Sequence, residues 1–290
     1  MGAPELLALY WTVSGPVEVH FGREWSTFSW RDRCAEAAKV GFKGIGLWHA
    51  DIEHQLEQGR SLDEMKQIFD DAGLQYLQVE FLQDFWAEPG TQERKESDER
   101  RRMLFDTAAT FDAHHIKVGN IPGNPCELDR LTEAFAEICQ DAANHTSAKV
   151  VYEFMPFDAN VQTLEAALQV AEGAAQPNGG VAIDTWHMSK LGIPPEDMKR
   201  IPREYLLWVE LSDGHYQNME DRIDETVNHR KLPGEGEFPI PEYVEACSEA
   251  GYDGPWGVEV LSAELRSLPI EEEFKRAYET TAAQFRAGVA

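Results

Sequence analysis

The sequence predicts an α/β fold, a single (β/α)8 barrel, and three observations carry that expectation. Eight short apolar runs alternate with longer segments of helical period along all 290 residues. Most of the runs are bounded by Gly, Pro or Asp, as the buried strands of a parallel sheet are. No glycine-rich dinucleotide fingerprint follows the first run, which leaves a doubly wound sheet without its usual signature. Chains of ~250 residues commonly form one such barrel. No low-complexity linker interrupts this one, so residues 1–290 are expected to form a single domain.

The candidate strands are Leu6–Tyr10, Gly44–His49, Leu74–Phe81, His115–Gly119, Lys149–Phe154, Val181–Asp184, Leu206–Leu211 and Trp256–Val260. Each is rich in Val, Ile, Leu or aromatic residues, which suit a buried pleated surface. The helical segments are read from their period. Ile270–Arg286 places Phe274, Ala277, Tyr278, Thr281 and Phe285 on one face, and Thr163–Ala171 does the same with Leu164, Ala167, Leu168 and Ala171. Ser61-Leu-Asp-Glu64 has the pattern of a capping box opening a helix that ends near Gly73. The charged run 92–102 reads as the solvated start of a helix continuing through Met103–Ala109.

Composition narrows the function. Asp plus Glu number 52 against 26 Lys plus Arg, a formal charge of −26. Nucleic-acid binding relies on Lys and Arg neutralising phosphates, so a DNA or RNA partner is not expected. No apolar run approaches the ~18–20 residues of a membrane span, and Met1–Val13 has no basic segment of a secretory signal. The four cysteines, Cys34, Cys126, Cys139 and Cys247, lack CxxC spacing and read as reduced thiols. Together these features predict a cytoplasmic protein with no membrane partner.

The functional signal lies in where the acids fall. A barrel of this class builds its active site at the C-terminal ends of the strands. There the sequence carries Glu153 in VVYEF, Asp184 in GVAID, Glu210 in LWVEL and Glu259 in WGVEV, in four successive candidate strands. A lone buried carboxylate costs several kcal/mol to desolvate, and four converging on one cavity would repel one another unless a cation stood among them. A hard divalent metal is the economical explanation. The plainer alternative gives each acid a private salt bridge or a place in solvent.

Glu153 in EFMPF, Asp184 with His187 in DTWH, Glu259 in GVEV and the stretch LPGEGEFP at 232–239 resemble the xylose isomerase-like TIM barrels. This is the broad sugar phosphate isomerase/epimerase family that also contains endonuclease IV. The resemblance covers nearly the whole chain and is strongest from Val150 to Val260. It implies a divalent metal, often Mn2+, held by Glu153, Asp184, a seventh-strand residue and Glu259. Many sugar epimerases of the family carry a histidine on the seventh strand, where this chain has Glu210; some dehydratases also use a non-histidine ligand there. Four oxygen ligands favour Mn2+ or Mg2+ over Zn2+. The endonuclease branch needs a histidine-rich, multi-metal site, which this chain lacks.

By the same resemblance Glu153 and Glu259 double as acid and base, and His187 contacts substrate or supports the metal shell. Lys117 in HIKVG could bind a substrate oxygen or offset the carboxylate excess. His49, Glu80 and Arg230 are further substrate-binding candidates, and Trp48, Trp86 and Trp186 could stack on a sugar ring or simply pack. Gly234 and Gly236 are expected to shape a tight loop rather than to bind phosphate, because no P-loop lysine follows. The expected activity is an isomerase or epimerase moving a proton next to the carbonyl of a keto-sugar or polyol. A lyase remains open: a keto-polyol or dehydroshikimate-type dehydratase, or the barrel subunit of a 3-keto-glycoside C-deglycosidase. So does a non-catalytic barrel that binds a sugar or a partner. Oligomeric state is not specified by the sequence, and a homo-oligomer or a partner subunit are both compatible with it.

Overall fold

Eight parallel strands close into a barrel in strict chain order, β1 pairing with both β2 and β8. The computed structural model describes residues 4–19, 22–121 and 125–287. The first half runs β1 Leu6–Ala8, α1 Trp30–Val40, β2 Gly44–Trp48, α2 His49–Glu57, α3 Leu62–Asp71, β3 Tyr76–Leu82, α4 Gln92–Phe111 and β4 His115–Gly119. The second half runs α5 Leu128–His145, β5 Lys149–Glu153, α6 Leu164–Ala174, β6 Gly179–Asp184, α7 Thr185–Leu191, β7 Leu206–Leu211, α8 Arg222–Asn228, α9 Ile240–Glu249, β8 Trp256–Val258, α10 Ala263–Arg266 and α11 Ile270–Ala287. Among the described residues, no helix is long and apolar enough to cross a membrane.

Local chemistry accounts for the helix starts. Ser61 accepts from Glu64 N while Glu64 returns a bond from the Ser61 backbone, the capping box read in the sequence. Thr91 and Thr163 cap α4 and α6 through the side chain alone, accepting from Arg94 N and Ala166 N. The charged run 92–102 is the first half of α4, which turns Leu104, Phe105, Ala108 and Phe111 inward.

Strand ends differ from expectation where a side chain or helix claims the backbone. The first strand stops at Ala8 because Tyr10–Thr12 turns into a 3-10 helix. The third begins at Tyr76, since Leu74 N bonds back to Phe69 O at the end of α3. The fifth ends at Glu153, one residue before the expected Phe154. The eighth stops at Val258 because Thr12 Oγ1 donates to Val258 O (2.6 Å) and accepts from Val260 N (2.7 Å). Glu259 therefore stands just beyond the ladder, at the barrel's mouth.

Three apolar clusters divide the interior. The largest packs helices against the sheet. A second fills the barrel's inside with Leu7, Leu9, Val151, Ala182, Leu207 and Trp208. The third, built around Trp11, Trp48, Phe81 and Leu261, lines the mouth. Two irregularities re-aim side chains, as bulges do. Between β6 and β7 the pairing passes from Val181–Leu206 to Ala182–Trp208, leaving Leu207 as the extra residue. Between β3 and β4 it passes from Glu80–Lys117 to Leu82–Val118, and Phe81 turns into the mouth.

Gly257 is required by this packing. A Cβ there would lie 2.7 Å from Trp208 Cζ2 and 3.1 Å from Glu210 Cγ, and Gly257 is the register partner of Glu210. Gly257→Ala is expected to lower stability by about 1–3 kcal/mol, the range of overpacked cores. Denaturant unfolding measures it, and a variant as stable as the parent would show that the Trp208 ring yields freely.

Candidate active site

The site is assembled from consecutive strand ends. Glu80 ends the inward row of β3 and Lys117 that of β4, side by side in register. Glu153 is the last residue of β5, and Asp184 and Glu210 are register partners on β6 and β7. Together with Glu259 these six side chains are almost wholly buried. Asp184 also caps α7, accepting from Trp186 N at 2.8 Å, so its carboxylate is fixed where strand becomes helix.

The structure brings Glu153, Asp184, Glu210 and Glu259 together: each offers an oxygen within 4.8 Å of the others, and Glu153, Asp184 and His187 form an overlapping group. Lys117 reaches into this cage. Its Nζ lies 2.6 Å from Glu259 Oε1, 2.8 Å from Glu80 Oε2, 3.1 Å from both Glu210 oxygens and 3.4 Å from Glu153 Oε2. On the opposite flank Arg230 Nη1 donates to Asp184 Oδ2 at 2.8 Å and stands 3.9 Å from Glu259 Oε2. His187 Nε2 lies 3.5 Å from both Glu153 Oε1 and Asp184 Oδ2.

Ionisation follows from burial and neighbours. Burial opposes the Lys117 charge, but Glu153, Glu210 and Glu259 outweigh it and hold the ammonium well above its ordinary pKa. Burial would raise Glu153, yet Lys117, His187 and Arg230 bring it down to about 2. Burial pushes Glu259 up to about 8, Lys117 offsetting only part. Burial and the adjacent Glu259 raise Glu210 well above the carboxylate range, and burial raises Glu80. Without a further cation, the cage therefore holds protons as well as charge.

Above the cage is a pocket of ≈ 500 Å³, including its open end. Glu80, Lys117, Glu153, His187, Arg230 and Glu259 provide its polar lining together with Thr226. His49 and Trp186 are absent from that lining. The helix α2 starts at His49 without an intervening loop, so the imidazole turns away from the mouth, 3.6 Å from Glu53 and against the Trp48 ring. Trp186 lies on α7 within the helix–sheet core, with the Arg230 guanidinium over its ring at 4.6 Å. Its contact is with Arg230, which in turn holds Asp184. Trp86 also belongs to that core, whereas Trp48 lines the pocket.

The 232–238 loop is tight, and its amides are already used. Asp213 accepts from the backbone N–H groups of Gly214, Gly234, Gly236 and Phe238 at 2.7–3.0 Å. A Cβ on Gly236 would stand 2.3 Å from Asp213 Oδ1. Sequence reasoning missed Asp213, whose position three residues after Glu210 was a usable signal. It also missed Trp11, Phe81, Phe157 and Leu261 in the pocket wall; apolar residues carry no mark of facing a cavity rather than a core.

With this geometry in hand, kinship can be stated. Residues 34–284 match the xylose isomerase-like TIM barrel family, and the chain belongs to it. It is 25% identical over 235 residues to a 3-dehydroshikimate dehydratase of Pseudomonas aeruginosa, covering 80% of this chain but 36% of that protein. The chain thus spans about a third of the dehydratase's length. It is 26% identical over 187 residues to an inosose isomerase of Bacillus velezensis, covering 63% of this chain and 66% of the relative. In fold it is similar to the crystal structure of the IOLI protein with a binding zinc atom, with a TM-score of 0.80 and 17% identity over 99% of both chains.

Two outcomes test this electrostatic arrangement. Lys117→Met is expected to destabilise metal-free protein by about 3–5 kcal/mol, the effect of breaking a buried ion pair from one side. Added Mn2+ should recover part of that in thermal unfolding, and an unchanged melting temperature would remove Lys117 from its role. The second outcome concerns pH. Glu259 has a folded pKa above its unfolded value, so its contribution is complete below the ordinary carboxylate range and lost as pH rises through about 8. Glu273, raised to about 9 by burial, acts in the same sense. His114 and His115, lowered by burial, act oppositely, but only below the ordinary histidine range. Chelated protein should therefore lose stability between about pH 6.5 and about pH 8.5, with a shallower slope in Glu259→Gln. Urea titrations across that window measure it, and a rising stability would contradict the assignment.

Proposed function

We propose that the chain is a divalent-metal-dependent isomerase or epimerase that moves a proton next to the carbonyl of a small keto-sugar or polyol. The observation that carries this reading is the cage of Glu153, Asp184, Glu210 and Glu259, with oxygens within 4.8 Å of one another at a pocket floor. The donor set fits a hard divalent ion: all four ligands are carboxylates, and Glu153 Oε1 is buried without a hydrogen-bond partner. That chemistry favours Mn2+ or Mg2+. When bound, such an ion polarises a substrate carbonyl and acidifies the neighbouring C–H.

The remaining work falls to this chain's side chains. Glu153 and Glu259 both line the pocket, where one carboxylate can take a substrate proton and the other return it. His187 stands 3.5 Å from Glu153 Oε1 and can itself contact a substrate oxygen, while Arg230 fixes Asp184 and flanks Glu259. Lys117 keeps the excess of negative charge from repelling a developing carbanion. Return of the proton to the other face of the same carbon gives epimerisation, and return to the neighbouring carbon gives isomerisation.

A lyase is the second reading, favoured by the similarity to 3-dehydroshikimate dehydratase over 80% of this chain and by the non-histidine residue Glu210 on β7. Both readings begin with removal of the same kind of proton and differ in whether a leaving group departs.

The test is deuterium exchange. Mn2+-loaded protein in deuterated water, given a panel of keto-sugars, cyclic keto-polyols and 3-dehydroshikimate, is expected to label one carbon next to a carbonyl. Chelation should abolish labelling, and full labelling in chelator would end the metal reading. His187→Asn should keep its metal and lose roughly 10²-fold in kcat/KM, the scale of a positioned acid–base or electrostatic group. Release of water or an aglycone in the product mixture would assign the lyase.

A further inference from the structure

The pocket's polar floor and its walls differ sharply in character. The floor is formed at the strand ends by Glu80, Lys117, Glu153 and Glu259, with His187 and Arg230 beside them. Its walls are mostly apolar, among them Trp11, Trp48, Phe81, Phe157, Val227 and Leu261. Trp11 and Trp48 lie 4.8 Å apart between ring centroids, and Phe81 is stacked with Trp48 at 6.4 Å and 26°. Most of these side chains form a cluster of their own at the mouth, distinct from the helix–sheet core. They therefore shape a cavity with apolar faces as well as completing the fold.

Charge points the same way. Among the described residues lining the pocket, the cations are Lys117 and Arg230. Both are committed: Lys117 lies against four carboxylates, and Arg230 holds Asp184. Each cation on the floor is thus already matched by a carboxylate, and Glu80, Glu153, Glu210 and Glu259 share the single Lys117 ammonium. A substrate carboxylate would meet that excess of carboxylates and find, among the described lining residues, no uncommitted Lys or Arg to receive it. An unpaired carboxylate is costly to desolvate, so this pocket discriminates against acids.

We infer that the substrate is a neutral polyhydroxylated ring or chain bearing an apolar, ring-shaped substituent. Its hydroxyl and carbonyl oxygens meet the floor, and the substituent lies against Trp11, Trp48 and Phe81. This rests on the reading of the floor as a metal cage and specifies which carbonyl compounds can reach it. It sets the pocket apart from one made for dehydroshikimate, a cyclic acid, and closer to one made for a neutral cyclic ketone such as inosose.

The test uses stable probes and calorimetry on the native chain. Mn2+ is titrated first, and the protein is then titrated with phenyl β-D-glucoside, methyl β-D-glucoside and shikimate. Phenyl glucoside is expected to bind ~10-fold or more tightly than methyl glucoside, as stacking added to apolar burial gives, and shikimate is expected to bind least. Trp48→Leu should shrink the phenyl-to-methyl ratio below ~3-fold. Shikimate binding as tightly as phenyl glucoside overturns the inference. So does equal affinity for the two glucosides, no binding of phenyl glucoside, or an unchanged ratio in Trp48→Leu. Failure to take up Mn2+ would instead remove the metal reading, and the probe ranking on metal-free protein would still decide the substrate class.

Discussion

Five carboxylates meet at one end of this barrel, and the rest of the mouth is organised around keeping them there. Lys117 Nζ lies within 3.4 Å of oxygens from Glu80, Glu153, Glu210 and Glu259. Arg230 holds the fifth, Asp184, from the other side. Neither cation is free to move far, because Lys117 is rooted in a central strand and Arg230 is stacked on Trp186 and bonded to Thr226 O. The charge balance thus fixes the position of β4 relative to β3, β5 and β7. It also leaves more carboxylates than cations, an excess that a divalent ion would reduce. Buried ion pairs are weak evidence for net stability; here their use is to hold a demanding constellation in one geometry.

Much of this was legible in the sequence, for identifiable reasons. Strands such as HIKVG and LWVEL are apolar runs whose single charged residue stands out, so Lys117 and Glu210 announce themselves. The four acids could be grouped because a βα repeat brings strand ends together whatever the loops do. His49 and Trp186 were harder to place. His49 opens α2, and Trp186 shares the first turn of α7 with His187, which does line the pocket; which face of such a helix meets the mouth is not written in local composition. The apolar wall was invisible for a different reason. Trp11 and Phe157 look like core residues, and their orientation depends on a 3-10 turn and on packing between distant segments. Phe81 faces the cavity only because the β3–β4 pairing slips by one residue.

The loop between β1 and α1 shows how the mouth is held without regular structure. Asp51 on α2 accepts from Ser26 N at 3.0 Å and from Arg33 of α1 at 2.5 Å, all buried. Ser26 Oγ donates to Ser14 O, and Tyr10 OH to Glu24 O. Trp48 is tied to the same loop through its indole N–H on Glu24. The aromatic wall and this loop are therefore tied together, with the buried Arg33–Asp51 ion pair among the anchors. An apolar cavity framed by polar anchors is a common arrangement for small-molecule sites.

Trp208 gives the molecule one further property. Its indole N–H donates to Glu210 Oε1 at 2.6 Å, while its ring lies 4.1 Å from the His115 ring and against Gly257. Indole emission responds to the charge and mobility of whatever its N–H is bonded to. A buried fluorophore is thus wired to the carboxylate whose identity separates this chain from the histidine pattern of many sugar epimerases. Any event that changes Glu210, whether the loss of its proton or the arrival of a cation beside it, is transmitted to Trp208 across a single hydrogen bond. Trp208 is not among the residues lining the pocket, so it meets the cage from beneath, through Glu210 alone.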